Sequence, residues 1–115
     1  MQNKMKANAI PVKVKADARR IVSDFNTKVF SNPEVDSYVI RFKKRHLYLD
    51  RSGSDYKVPC QVCRLSYTGD PTNWDFAIYR YTRKEYDPEE WMFPEAGCVD
   101  GTIESALEAG LEAYP

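Results

Sequence analysis

Cys60-Gln61-Val62-Cys63, the single His46 and Cys98 are the residues of this chain whose types could hold a metal or move a proton. Two thiolates two residues apart share one zinc ion when a tight turn aims both at it, and a three-Cys, one-His set would need His46 and Cys98 as well. The spacing argues against such a site. In an extended strand, positions 60 and 63 have opposite parity, which sends their side chains to opposite faces. No second CxxC or paired histidine accompanies them. A redox CxxC needs its first thiol at a helix N-terminus, and no helix follows here. Cys63 therefore reads as a small core hydrophobe. His46, set beside Lys44 and Arg45 in a turn, reads as an exposed polar residue, since a general base needs a carboxylate or nucleophile at hand. Nucleophile elbows, phosphate-cradling glycine loops and zinc-protease helices are missing from the sequence. The expectation is a protein without catalytic residues, metal or cofactor. The alternative is a small enzyme or metal-binding domain built on His46 and the cysteines.

A second chemistry is spread over alternating positions. Arg41, Lys43, His46, Tyr48, Arg64, Tyr79 and Tyr81 all fall on one parity of their strands. Rings stack on bases and cations neutralise phosphates, so such a face suits single-stranded nucleic acid. Tyr and Arg are equally the favoured anchors of protein interfaces, including contacts with a second copy. A third reading is local, with the Tyr86–Phe93 segment and its Trp91, Met92 and Phe93 folding back over the face. In the nucleic-acid reading the cations extend to Lys15, Arg19, Arg20 and Lys28 on a helix, and to Lys44, Arg45 and Arg51 on a hairpin. The acidic final helix should then lie away from them.

The elements that position these residues follow from periodicity. Residues 1–12 read as a flexible basic arm ahead of a single domain, 13–115. From Lys13 to Phe30, Val14, Ala18, Ile21, Val22, Phe25 and Val29 recur at helical spacing, and Pro33 closes that helix. The period then falls to two. Tyr38/Ile40/Phe42, Leu47/Leu49, Cys63/Leu65 and Trp74/Phe76/Ile78 share one face of four strands joined by short turns. Asp87-Pro88-Glu89-Glu90 has the residues of a capped helical turn. Ile103, Ala106, Leu107, Gly110, Leu111 and Tyr114 form the stripe of a last helix, with Glu104, Glu108 and Glu112 outside it. The fold expected is α+β, a four-stranded antiparallel meander with an N-terminal and a C-terminal helix packed on one face.

Composition bounds the rest. With 115 residues, 43% hydrophobic and 13% aromatic, the chain is neither disordered nor large enough for two cores. It has no apolar run of membrane-spanning length and no leader with an apolar core, so no membrane partner is expected. Three cysteines, an odd number, suit a reducing cytosol. The formal charge of zero hides a segregation: residues 1–64 carry 14 Lys/Arg against 6 Asp/Glu, and residues 65–115 carry 3 against 11. Either a basic surface serves an anionic partner, or the halves neutralise each other within one chain or across a dimer. A homodimer or protein partner is expected, with nucleic acid as the other candidate.

Taken as runs, RFKKRHLYLDR, CRLSYTGDPTNWDFAIYRYTRKEYDPEEWMFP and DGTIESALEAGLEAYP resemble a family of small bacterial proteins of unassigned function. The resemblance spans roughly residues 37–115 and carries no catalytic signature to transfer. A helix-backed four-stranded antiparallel sheet is also similar in fold to the single-strand-binding domain of transcriptional coactivators, and that resemblance implies a nucleic-acid-binding sheet. The order departs from that pattern, because here a helix also precedes the strands.

Overall fold

The structure is a computed structural model that describes residues 9–54, 57–89 and 96–114. Helix α1 spans Val12–Val29, and strands β1 (Ser37–Lys43), β2 (His46–Ser52), β3 (Cys60–Ser66), β4 (Asp75–Arg80) and β5 (Glu85–Asp87) follow. A single 3₁₀ turn at Ala96–Cys98 leads into helix α2, Ile103–Ala113. The strands pair in chain order as one antiparallel sheet of five, one more than the periodicity predicts. The fifth strand has three residues, too few to show an alternation of its own. It also begins the stretch read as a capped helical turn. There, Asp87 Oδ1 accepts from the Glu89 amide at 2.9 Å after the strand has ended, and the rest of that reading falls on residues outside the described ones. Ile10 is buried and Val12 opens α1, both inside the stretch expected to be an arm.

The inner face follows the predicted parity. Phe42, Leu47 and Leu65 stand in one row, Ile40, Leu49, Cys63 and Ile78 in the next, and both helices cover them. Leu47, Leu49, Leu65 and Leu107 are shut off from solvent, each contributing about 1.5–3 kcal/mol by burial. The Tyr38 hydroxyl donates to the Leu107 carbonyl at 2.7 Å, tying β1 to α2. Close approach of α2 needs Gly110, since a Cβ there would come 2.6 Å from Val62 Cγ1 and 2.7 Å from the Tyr38 hydroxyl. The second helix starts at the N-cap Thr102, whose side-chain oxygen accepts from the Ser105 amide.

One irregularity changes a sequence argument. The β2–β3 register shifts between Leu49 and Asp50, so Leu49 faces Cys63 while Asp50 faces Gln61, and Val62 is the extra residue of a bulge. Cys60 then pairs with Arg51, which shares the inner parity of Leu49. Cys60 and Cys63 therefore lie on the same face, correcting the parity argument that separated them. The two thiols still do not share surroundings: Cys63 is fully buried, and Cys60 is half-buried near the strand end. Burial pushes the Cys63 thiol well up, so it stays protonated.

Candidate binding face

The outer face collects the residues the alternation singled out. Its row nearest the β1–β2 turn runs Lys43, His46, Ser66, Asp75; the next runs Arg41, Tyr48, Arg64, Ala77. Tyr79 faces Tyr86 across β4 and β5, and Tyr81 lies just past the end of β4. All seven predicted residues are thus on or beside one face. They differ sharply in availability.

Tyr86, which the sequence reading did not place among them, organises the centre. Its ring packs edge-on against Tyr79 at 4.9 Å and Tyr48 at 5.3 Å. Its hydroxyl accepts from Arg41 Nη2 at 3.1 Å. That contact joins β5 to β1, strands about 19 Å apart in a flat sheet with about 4.8 Å between neighbours. The sheet must therefore curl toward its outer face, as the Val62 bulge promotes. Tyr86 is the first residue of the segment expected to fold back, and it does so; Trp91, Met92 and Phe93 are outside the described residues.

Arg41 is committed within the chain. Its Nε donates to Asp50 Oδ2 at 2.7 Å, and its guanidinium lies 4.3 Å from the Tyr48 ring centre. Asp50, buried beneath it, together with the Tyr86 hydroxyl, outweighs the desolvation of Arg41 and holds its guanidinium above the ordinary range. Tyr79 is buried, and Tyr81 donates to the Gln61 carbonyl at 2.7 Å while its ring meets those of Tyr79 and Tyr114. These rings present edges to one another, so few flat faces are left on which a base could stack.

The turn end differs. Lys43, Lys44, Arg45 and Arg64 have no carboxylate within ion-pair distance among the described residues. Arg64 lies over the Tyr86 ring at 5.5 Å, and its Nε is buried without a hydrogen-bond acceptor. Arg45 Nη1 donates to the Tyr67 carbonyl at 3.3 Å. His46 Nδ1 and Ser66 Oγ share a 2.7 Å hydrogen bond. His46 is half-buried, not the exposed residue expected. Burial first, then Arg64, Arg45 and Lys44, press its pKa below the ordinary value.

The wider cation set predicted for phosphates does not form one surface. Arg51 turns inward: it is buried, its guanidinium 4.9 Å from the Phe30 ring centre, and its Nη1 donates to the Tyr114 carbonyl at 3.1 Å. Lys15 and Arg19 lie over Phe42. Arg20 and Lys28 line a groove of about 340 Å³ with Glu104 and Glu108. The acidic helix therefore borders part of the basic helix instead of lying away from it.

Among the described residues, no three of His, Cys, Asp and Glu come together. His46 is on the outer face, Cys63 is in the core, and Cys98 is exposed on the 3₁₀ turn. Likewise, no helix among them is long and apolar enough to cross a membrane. No protein-family model, curated protein or solved structure matches this chain.

Proposed function

We propose that the protein is a non-enzymatic binding module that holds an anionic partner at the turn end of its outer sheet face. One observation carries this reading: Arg41, at the centre of the face, is neutralised by Asp50, while Lys43, Lys44, Arg45 and Arg64 have no carboxylate partner among the described residues. A fold that stabilises only itself gains little from gathering uncompensated cations around a histidine whose protonation they oppose. The interlocked rings favour an acidic protein surface over a stacked single strand. Edge-to-face tyrosines make rigid anchors at low entropic cost, whereas base stacking needs open ring faces. An odd count of three cysteines, one of them buried, fits action in a reducing cytosol.

The test titrates the protein with an acidic peptide and with a single-stranded oligonucleotide at rising salt. Peptide binding that weakens with salt and falls in Lys43→Gln and Arg64→Gln supports the reading. An oligonucleotide that binds with a log–log salt slope near −0.7 per phosphate contact would assign the face to nucleic acid instead. No binding of either at low salt rejects the anionic partner.

A second reading, a homodimer, rests on the β1 edge. Asn26 blocks one end of that edge: its amide accepts from Tyr38 N–H at 2.8 Å and donates to the Tyr38 carbonyl at 3.0 Å. Farther along, the outward backbone groups of Ile40 and Phe42 have no partner among the described residues. Val39 beside them is exposed. An open edge invites pairing with a second copy. Sedimentation showing only monomer at micromolar concentration excludes it.

A further inference from the structure

The turn-end cations border two adjoining cavities. One, of about 450 Å³, is lined by Arg45, Arg64, Ser66, Asp75 and the apolar Trp74 and Phe76, among others. The other, of about 430 Å³, is lined by Ala9, Ile10, Lys15, Lys44, Arg45 and His46. Arg45 lines both. Of the described residues lining the two cavities, only Asp75 is a carboxylate. It is exposed at the start of β4 and has no ion pair among the described residues. Between the cations lie a hydroxyl, Ser66 Oγ, and an imidazole already joined to it by a 2.7 Å hydrogen bond.

This donor set has a particular chemistry. Two guanidinium groups present planar forks that suit the oxygens of a tetrahedral oxyanion, and Lys44 adds a point charge. The hydroxyl is a further donor, and the second imidazole nitrogen becomes one when protonated. The buried Arg64 Nε is a donor held out of water with nothing accepting from it, an arrangement costly to keep unless an acceptor arrives. Among the described residues no carboxylate is in ion-pair reach of these cations, unlike Arg41 with Asp50.

We infer that Arg45, Arg64, His46, Ser66 and Lys44 form a binding site for a phosphate-type oxyanion, the phosphate group of a small phosphorylated molecule or inorganic phosphate itself. The inference rests on the anionic-partner reading above and sharpens it from general negative charge to one tetrahedral group. His46 reports on occupancy. Burial first, then Arg64 across from it and Arg45 and Lys44 beside it, oppose its protonation, and Lys15 lines the same cavity. Asp75, two strands away, is the only carboxylate along that row, and Ser66 and Tyr48 are its uncharged neighbours. An anion seated among these cations reverses the local field, so the imidazole takes up its proton at higher pH than before. Oxyanion binding should therefore tighten as pH falls through the histidine's titration.

Because the chain has a single histidine, its imidazole resonances can be followed without assignment ambiguity. Inorganic phosphate is titrated at constant ionic strength, with chloride as the matched control and sulfate, whose charge is fixed, for the pH series. A glucose-6-phosphate arm separates a phosphorylated small molecule from free phosphate by which binds more tightly. The expected result is a saturable shift with a millimolar Kd, a rise in the His46 pKa at saturation, and sulfate binding tighter at lower pH. Arg45→Gln, with its fold checked by an unchanged thermal unfolding midpoint because it also loses the hydrogen bond to the Tyr67 carbonyl, should weaken phosphate by about tenfold; Arg83→Gln, at the opposite end of the sheet, should change nothing. A linear response, or an equal response to chloride, overturns the site. If an acidic peptide still binds at the same cations while phosphate does not, the oxyanion site fails and the anionic-partner reading stands. If neither binds, both fall.

Discussion

The inner and outer faces of this sheet are both filled with side chains, but different forces fill them. On the inner face, Leu47, Leu49, Cys63 and Leu65 meet helix residues through non-directional contact, and burial alone stabilises the arrangement. On the outer face, Arg41 is held by one carboxylate, one hydroxyl and the Tyr48 ring, and Tyr86 by that same ring and the ring of Tyr79. Each of those contacts depends on direction. The inner face could exchange one aliphatic side chain for another and keep its fold. The outer face has less freedom, because moving Asp50 or Tyr86 would remove one of the directional partners of Arg41. Directional chemistry is left incomplete at the turn end, where Lys43, Lys44, Arg45 and Arg64 have no carboxylate partner among the described residues.

The largest effect expected from testing this contrast is on the inner face. Leu47→Ala removes a fully buried side chain and should lower stability by about 2–5 kcal/mol, read as a drop in the urea midpoint at unchanged slope. A loss below about 1 kcal/mol would show that the inner layer is not the main source of stability. On the outer face, Asp50→Ala leaves Arg41 without its carboxylate. Because the Arg41 side chain is 45% exposed and can turn to water, the cost should be smaller, about 1–3 kcal/mol. A double-mutant cycle with Arg41→Ala should show a coupling well above the roughly 0.2–1 kcal/mol of an exposed pair; additivity would mean the pair only coincides in space.

The smallest effect concerns His46. Its folded pKa is depressed below the ordinary value, so between the two values the unfolded chain binds more protons. The associated stability is present above the unfolded pKa and declines as pH falls from about 6.5 toward the folded value. His46→Gln should flatten that part of the stability–pH curve slightly, as measured by thermal unfolding from pH 7.5 to 5. A slope of the opposite sign would place a carboxylate beside the imidazole and contradict the bare-cation description of the turn end.

Legibility in the sequence followed the same division. Period-two and period-3.6 patterns hold wherever a face is buried by apolar contact, so α1, α2, the first four strands and their inner residues could be read directly. The same parity placed Arg41, Lys43, His46, Tyr48 and Arg64 together on the outside. It failed at the bulge, because one extra residue, Val62, inverts every face assignment before it in β3, and nothing in Cys60-Gln61-Val62-Cys63 announces that residue. It also missed Tyr86, since a three-residue strand has no period and Tyr86 meets Arg41 only through the curl of the whole sheet.

The sequence by itself determined an α+β protein with two amphipathic helices over one face of an antiparallel sheet, because solvent averages over each element and rewards only its local pattern of apolar and polar residues. Tertiary structure alone decided which charges are spent. Arg41 and Arg64 are both arginines on outward positions of one row, indistinguishable by type, parity or local composition. One meets Asp50 from the adjacent strand at 2.7 Å, and the other lies over a ring with no carboxylate beside it among the described residues. Coulomb interaction depends on distance and on exclusion of water, and both are set by how the sheet curls and registers rather than by the order of residues along any one strand.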